Sequence, residues 1–125
     1  MLTNKEQGLL INIIKHCKKI NEKMNNLTRE QFDNDEDVVQ IICFNILQIG
    51  ELAKNFEPKF VAKYSGVPWR QIKGMRDKVA HGYGTIDKER VWKTALNDIN
   101  PLLNYCQKIL DDNSKGIISH PDRLS

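Results

Sequence analysis

The segment from Val38 to Ile49 is apolar on almost every side of a helix, and this limits the folds open to the chain. Its apolar positions are Val38, Val39, Ile41, Ile42, Phe44, Ile46, Leu47 and Ile49. A helix without a polar face needs burial on more than one side. Gln40, Asn45 and Gln48 interrupt the run, which is also shorter than the roughly 18 residues of a membrane span. We therefore expect a core helix whose second apolar side is covered by another copy of the chain.

Three further segments have the three- and four-residue apolar spacing of amphipathic helices. The first follows Thr3-Asn4-Lys5-Glu6, a capping box, and the short stretch 28–32 adds one turn after it. The apolar helix should begin at 34–37 and run to about Phe56, before Pro58. A third helix should start at Pro68 and weaken at Gly82 and Gly84.

The last helix should start at Asp87 and bend at Pro101, whose ring removes one backbone hydrogen bond. Trp69 and Trp92 are interpreted as core residues of the third and last helices. Alternating strand patterns and repeats are absent from the sequence. The fold class is therefore predicted to be all-α, an up-down bundle of four main helices over residues 1–112, with a polar tail over 113–125.

The cysteines and the N-terminus indicate a reducing compartment. Cys17, Cys43 and Cys106 are odd in number, far apart and set among apolar neighbours, which is typical of buried free thiols. We expect no metal site and no cofactor. The start of the chain lacks the pattern of a signal peptide, and the sequence predicts a cytoplasmic protein without membrane contact.

Positive charge is concentrated in one segment. The chain has a net charge of +3, but Lys54 to Lys78 contains seven basic and two acidic residues and therefore carries +5. Arg70, Lys73 and Lys78 are the candidate RNA-binding residues in it, because such a surface attracts a phosphate backbone. A solvated helix face without a partner explains the same charges equally well.

The segment Arg76-Asp77-Lys78-Val79-Ala80-His81-Gly82-Tyr83 combines three groups that suit metal-free chemistry on RNA. Arg76 is a permanent cation, His81 titrates near neutral pH, and Tyr83 has a modifiable hydroxyl. Positions four apart share a helix face, so Asp77 could fix the tautomer of His81. The spacing of Arg76 and His81 alone has little specificity, and His81 could instead cap a helix C-terminus. Outside this segment, His16 and His120 have no chemical neighbourhood in the sequence.

The residues around this segment resemble the HepT-like branch of the HEPN superfamily. Arg76-x4-His81-x-Tyr83 is similar to the family signature, and Ile49-Gly50-Glu51-Leu52-Ala53-Lys54 and Val67-Pro68-Trp69-Arg70-Gln71-Ile72-Lys73-Gly74-Met75-Arg76 are similar to its neighbouring motifs. Leu52 replaces a common alanine. Asp77 replaces a common asparagine, which leaves the rate and pH optimum in doubt. For Glu51, a surface or structural role is favoured over a supporting role in the site.

The resemblance implies a metal-independent endoribonuclease, the toxin of a toxin–antitoxin pair of the type VII kind. It makes Arg76 and His81 catalytic, with Asp77 beside them, in a cleft between two copies of the chain. It also implies a partner, a minimal nucleotidyltransferase antitoxin that inactivates the protein by adding AMP to Tyr83. Two other functions remain open: a non-catalytic subunit that presents nucleotide or target to a nucleotidyltransferase, and a helical scaffold.

Overall fold

The computed structural model describes residues 1–79 and 85–118, and every regular element in these ranges is a helix apart from one isolated bridge residue, Ile86. The helices are α1 (Asn4–Met24), α2 (Arg29–Asp33), α3 (Glu36–Ala53), α4 (Pro58–Lys63), α5 (Trp69–Lys73), α6 (Met75–Val79), α7 (Lys88–Asn97) and α8 (Ile99–Ile118). The all-α prediction is confirmed. The arrangement as four main helices stays a prediction, because the third and last expected helices are each divided in two.

The helix starts follow local capping chemistry. Thr3 accepts from the N–H of Glu6 and its own N–H donates to the Glu6 carboxylate, which confirms the capping box. Asp35 and Asp87 cap α3 and α7 in the same way, through the backbone N–H three residues on. The expected turn after α1 is the short helix α2, which begins with a second capping box at Thr28.

Three helix ends differ from expectation. α3 ends at Ala53 rather than near Phe56, and the Asn55 amide donates to the carbonyl of Glu51, replacing a helical bond. α4 begins at Pro58, where the sequence predicted only the end of the preceding helix. The third helix breaks at Gly74, whose N–H bonds to the carbonyls of Arg70 and Gln71.

The last helix breaks at Asp98 rather than bending at Pro101. Pro101 thereby lies in the first turn of α8, where its missing N–H costs nothing. The tail expected from Asn113 is helical to Ile118, and the Asn113 amide donates to the Ile109 carbonyl at 2.7 Å. The boundary between a domain and a tail stays a prediction.

Helix α3 lies at the centre of the fold and packs against α1, α2, α5, α6 and α7, while α8 covers the other side of α1. The core includes the completely buried Ile13, Ile42, Ile46 and Ile49. None of the described helices is long and apolar enough to cross a lipid bilayer.

The cysteines are buried in this core as free thiols, as predicted. Burial raises the pKa of Cys17 and of Cys106 to about 12, and it also raises the pKa of Cys43. Within the described ranges no cluster of three or more His, Cys, Asp or Glu side chains has the arrangement of a metal site.

Candidate active site

Gly50 brings the motif-bearing helices against the middle of the fold. A Cβ atom at this position of α3 would lie 3.4 Å from the carbonyl oxygen of Ile72, 3.5 Å from that of Lys73 and 3.7 Å from the backbone nitrogen of Arg76. The bare backbone of α3 therefore contacts the junction of α5 and α6 directly. This contact fixes the position of Arg76 relative to α3.

Buried aromatic and aliphatic side chains hold α5 and α6 in place. Trp69 is 2% exposed, packs on Phe56 and Phe60, and donates its indole N–H to the Tyr64 carbonyl. Its interpretation as a core residue is confirmed. Ile72, Met75 and Val79 continue the buried stripe, and Arg76 and Asp77 between them are exposed.

Arg76 faces outward and pairs with Glu51 across two helices. Its Nε lies 3.7 Å from Glu51 Oε1, and the same carboxylate oxygen accepts from Lys54 Nζ at 3.1 Å. The Arg76 side chain is 55% exposed. The carboxylate lies beside Nε, and the half-exposed guanidinium remains open to a phosphate.

The contact of Glu51 with Arg76 was not identified from the sequence. The two residues are 25 positions apart and meet only because α6 crosses α3 at Gly50. Such a half-exposed pair contributes at most about 1 kcal/mol to stability. Its structural effect is to hold the guanidinium beside the C-terminal part of α3.

Asp77 is exposed, and within the described part of the chain its side chain makes no hydrogen bond or ion pair. His81 and Tyr83 lie outside the described residues, so the expected contact of Asp77 with His81 stays a prediction. The side chain of Lys78 is also outside them.

The ends of the segment that carries His81 and Tyr83 meet at one point. The backbone N–H of Asp87 donates to the Val79 carbonyl at 2.9 Å, which joins the end of α6 to the start of α7. Val79 is one helical turn after Arg76, and His81 is two residues further. Backbone dimensions therefore keep the Cα atoms of Arg76 and His81 within roughly 13 Å of each other.

The outer side of α5 carries cations without acidic partners. Arg70 is exposed and Lys73 half-buried, and neither makes an ion pair within the described ranges. Lys54 and Arg76, in contrast, share Glu51. Lys59 and Lys63 on α4 are also exposed and make no ion pair within these ranges, so the unpaired positive charge of this region lies on α4 and α5.

The outward side of α3 is only partly covered. Phe44 is 56% exposed beside Ile41, in an open groove of about 810 Å³ between α1 and α3. His16 lies in this groove, and its Nδ1 is 2.7 Å from Asn45 Oδ1. Asn45 donates its amide to the Ile41 carbonyl, so the oxygen faces His16, and Nδ1 of His16 carries the hydrogen. This contact of His16 was not predicted from the sequence, because Asn45 is 29 positions away in the chain.

Comparisons with known proteins place the chain in a family. Residues 13–109 match the family model described as Ribonuclease HepT-like. A protein of Caldanaerobacter subterraneus named "Putative RNase" is 33% identical over 101 residues, covering 81% of this chain and 90% of that protein. One of the same designation from Methanocaldococcus jannaschii is 28% identical over 106 residues, covering 85% and 88%.

Part of the chain also matches a protein named as a probable ribonuclease HepT from Thermococcus cleftensis. Identity there is 38% over 61 residues, covering 49% of this chain and 56% of that protein. No solved protein structure matches the chain. The family model spans most of the chain and includes the Gly50 contact, the Arg76–Glu51 pair and the segment up to Asp87. The chain therefore belongs to the HepT-like ribonucleases of the HEPN superfamily.

Proposed function

We propose that this protein is a metal-independent endoribonuclease toxin in which Arg76 and His81 act on one RNA linkage. The observation that carries the proposal is the exposed guanidinium of Arg76, which pairs with Glu51. Arg76 lies one helical turn before Val79, where the hydrogen bond from Asp87 joins the two ends of the segment that contains His81. A fixed cation stabilises charge that develops on a phosphate, and a nearby imidazole transfers protons.

The proposed reaction uses the ribose 2′-hydroxyl as nucleophile. His81 accepts its proton, the 2′-oxygen forms a bond to phosphorus, and the bond from phosphorus to the 5′-oxygen breaks. The products are a 2′,3′-cyclic phosphate and a 5′-hydroxyl, and the leaving oxygen takes up a proton from an acid. Arg76 balances the charge on the phosphate oxygens. Proton transfer of this kind contributes about 10²–10⁴-fold in rate.

A single imidazole cannot easily be base and acid in one step, so we propose that the active unit is a homodimer. The outward side of α3 is the proposed interface. Phe44 and Glu51 are seven residues apart, on one side of the helix and about 10 Å apart along its axis. Pairing of two α3 helices would cover Phe44 and bring two Arg76–Glu51 pairs to one surface.

The dimer proposal is tested with Phe44→Glu and with Leu96→Glu as matched control. Leu96 is 54% exposed on α7, a helix that does not line the groove around Phe44. We expect light scattering to give a dimer for wild type and control, and a monomer without ribonuclease activity for Phe44→Glu. A dimeric Phe44→Glu variant, or a monomeric wild type, would contradict the interface.

His81→Ala tests the catalytic role directly. We expect RNA cleavage to fall by at least about 10²-fold while circular dichroism and the dimer remain unchanged. Cleavage should persist in excess chelator, which tests metal independence. Unchanged cleavage by His81→Ala would exclude the assignment, and tight nucleotide binding without any cleavage would favour a non-catalytic partner of a nucleotidyltransferase.

We further propose that a cognate minimal nucleotidyltransferase transfers AMP from ATP to the Tyr83 hydroxyl, with release of pyrophosphate. The modification would place a bulky anion near Arg76, where it would compete with substrate phosphate. Tyr83→Phe should still cleave RNA but should no longer be inactivated by the transferase and ATP. Equal cleavage by modified and unmodified wild type would contradict this regulation.

A further inference from the structure

A small cavity lies between α5–α6, α7 and α8, on elements that also carry the proposed active site. Its volume is about 140 Å³, close to the roughly 150 Å³ of a cavity that holds one benzene ring. Its apolar wall includes Ile72, Met75 and Leu102, which are 3%, 6% and 1% exposed. The size and wall suit one flat ring system.

The edge of the cavity is polar, and its groups are free. Gln71, Arg90, Thr94, Asn97 and Asp98 line it. Within the described ranges none of these side chains makes a hydrogen bond or ion pair. Thr94 is only 4% exposed as a residue, but no fully buried side-chain nitrogen or oxygen of the described residues lacks a partner, so its unpaired hydroxyl is open to solvent. Together these side chains offer both hydrogen-bond donors and acceptors.

The cavity is adjacent to the base of the His81 segment. Met75 lies one helical turn before Val79, and Arg90 lies in the first turn of α7, where its N–H bonds to Asp87 Oδ1 at 3.1 Å. Val79 and Asp87 are the two residues that close the segment. The end of the cavity at Met75 and Arg90 is therefore about one helical turn, along α6 and along α7, from the two residues that close the segment.

We propose that this cavity binds a nucleobase, with the ring against Met75 and Leu102 and its polar edge at Thr94 and Asn97. A nucleobase combines flat apolar faces with an edge of donors and acceptors, which matches the wall and rim of the cavity. Its source is either a nucleotide of the RNA substrate or the adenylate on Tyr83. Both of these sources depend on the proposed function. Binding of a nucleobase to the cavity is measured without RNA cleavage.

The experiment uses the chain labelled with ¹³C at methionine methyl groups. The sequence contains three methionines, Met1, Met24 and Met75, so the Met75 signal is readily assigned, and Met24 on α1 is an internal control. Each of the four ribonucleoside monophosphates is titrated to about 10 mM, where a ligand of millimolar affinity occupies its site. We expect the Met75 signal to move with at least one nucleotide while the Met24 signal stays.

Two variants connect the shift to the cavity. Thr94→Val keeps the shape and removes the hydroxyl, and we expect it to raise the Kd by about 2–10-fold, the effect of one hydrogen bond. Asn97→Ala should weaken binding similarly, whereas Asn104→Ala, on the exposed side of α8, should not. An unmoved Met75 signal with all four nucleotides, or equal affinity in wild type, Thr94→Val and Asn97→Ala, overturns the proposal.

Two further samples distinguish the sources. One is the unmodified protein with an RNA oligonucleotide made uncleavable by 2′-deoxy substitution, and the other is protein carrying AMP on Tyr83 without free nucleotide. A Met75 shift in the first assigns the cavity to substrate, and a shift in the second assigns it to the modification. A shift in neither overturns the proposal. Met75 shifts with nucleotides in a protein that cleaves no RNA would leave this inference intact and contradict only the proposed function.

Discussion

The two sides of α3 differ in what surrounds them, although they belong to one 18-residue helix. On the inner side Ile42, Ile46 and Ile49 are completely buried. On the outer side Phe44 is 56% exposed and Glu51 meets Arg76. The inner side determines stability, and the outer side carries the proposed dimer interface and the proposed site. Substitutions on the two sides should therefore separate stability from activity.

The largest expected effect is that of Arg76→Ala on cleavage. Loss of a cation that stabilises transition-state charge typically costs about 10²–10³-fold in kcat. The unfolding free energy should change by less than about 1 kcal/mol, because the pair with Glu51 is half-exposed. Arg70→Ala is the comparison, and it should weaken RNA binding, most clearly at low salt, without a comparable loss of kcat. Equal losses of kcat in both variants would contradict a specific role of Arg76.

Ile46→Ala should have the opposite effect, with a large loss of stability and little loss of activity. Truncation of this completely buried side chain should lower the unfolding free energy by about 2–5 kcal/mol, as measured by denaturant titration. Activity per folded molecule should remain close to wild type. Ile11→Ala, at a position 50% exposed, should change the unfolding free energy by less than about 0.5 kcal/mol.

Gly50 is the point where α3 contacts the backbone that leads to Arg76. The size of the side chain placed there should determine the change in stability and activity. Gly50→Ala should change the unfolding free energy by no more than about 1 kcal/mol, since the gain in helix propensity offsets a contact at 3.4 Å. Gly50→Leu should cost about 1–3 kcal/mol and reduce activity, because the larger side chain displaces the backbone that carries Arg76.

Gly8→Leu on α1 is the matched control, because no atom lies within 4 Å of a Cβ built there. It should be neutral or stabilising and should retain full activity. If Gly50→Leu were as active as this control, the contact at Gly50 would not be what positions Arg76.

The smallest expected effect is that of Glu51→Gln. The unfolding free energy should fall by less than about 1 kcal/mol, and cleavage should decrease about fivefold or less as Arg76 loses its orientation. High salt screens the pair in the wild type, so the difference between the two proteins should shrink there. In a double-mutant cycle, Glu51→Gln should have no further effect on cleavage once Arg76 is alanine.

The sequence predicted features whose causes are local. The capping box at Thr3, the helix start within 34–37 and the helix start at Asp87 depend on residues within four positions, so the local sequence predicts them. The burial of Cys17, Cys43 and Cys106 followed from apolar spacing in the same way. Helix α4 was missed although Pro58 is a favoured first helical residue, because the proline was read only as the end of α3.

The candidate site was predicted in part. Arg76 was identified by resemblance, and the structure adds that it is exposed and contacts Glu51. The site roles of Arg76, Asp77, His81 and Tyr83 stay predictions until cleavage and modification are measured. The breaks at Gly74 and Asp98 were not predicted. Whether a helix breaks depends on whether two short helices pack better against the rest of the fold than one continuous helix does.

The sequence by itself determined the helical class, the starts of α1, α3 and α7 and the apolar stripes, since these depend on neighbours three or four positions away. It also provided the candidate residues for the chemistry. Only the tertiary structure decided that Glu51 meets Arg76, that His16 meets Asn45, and that a small cavity opens beside the end of α6. Those contacts join residues that are distant in the chain. They exist because the packing of whole helices, set by the summed burial of the core, fixes which surfaces face each other.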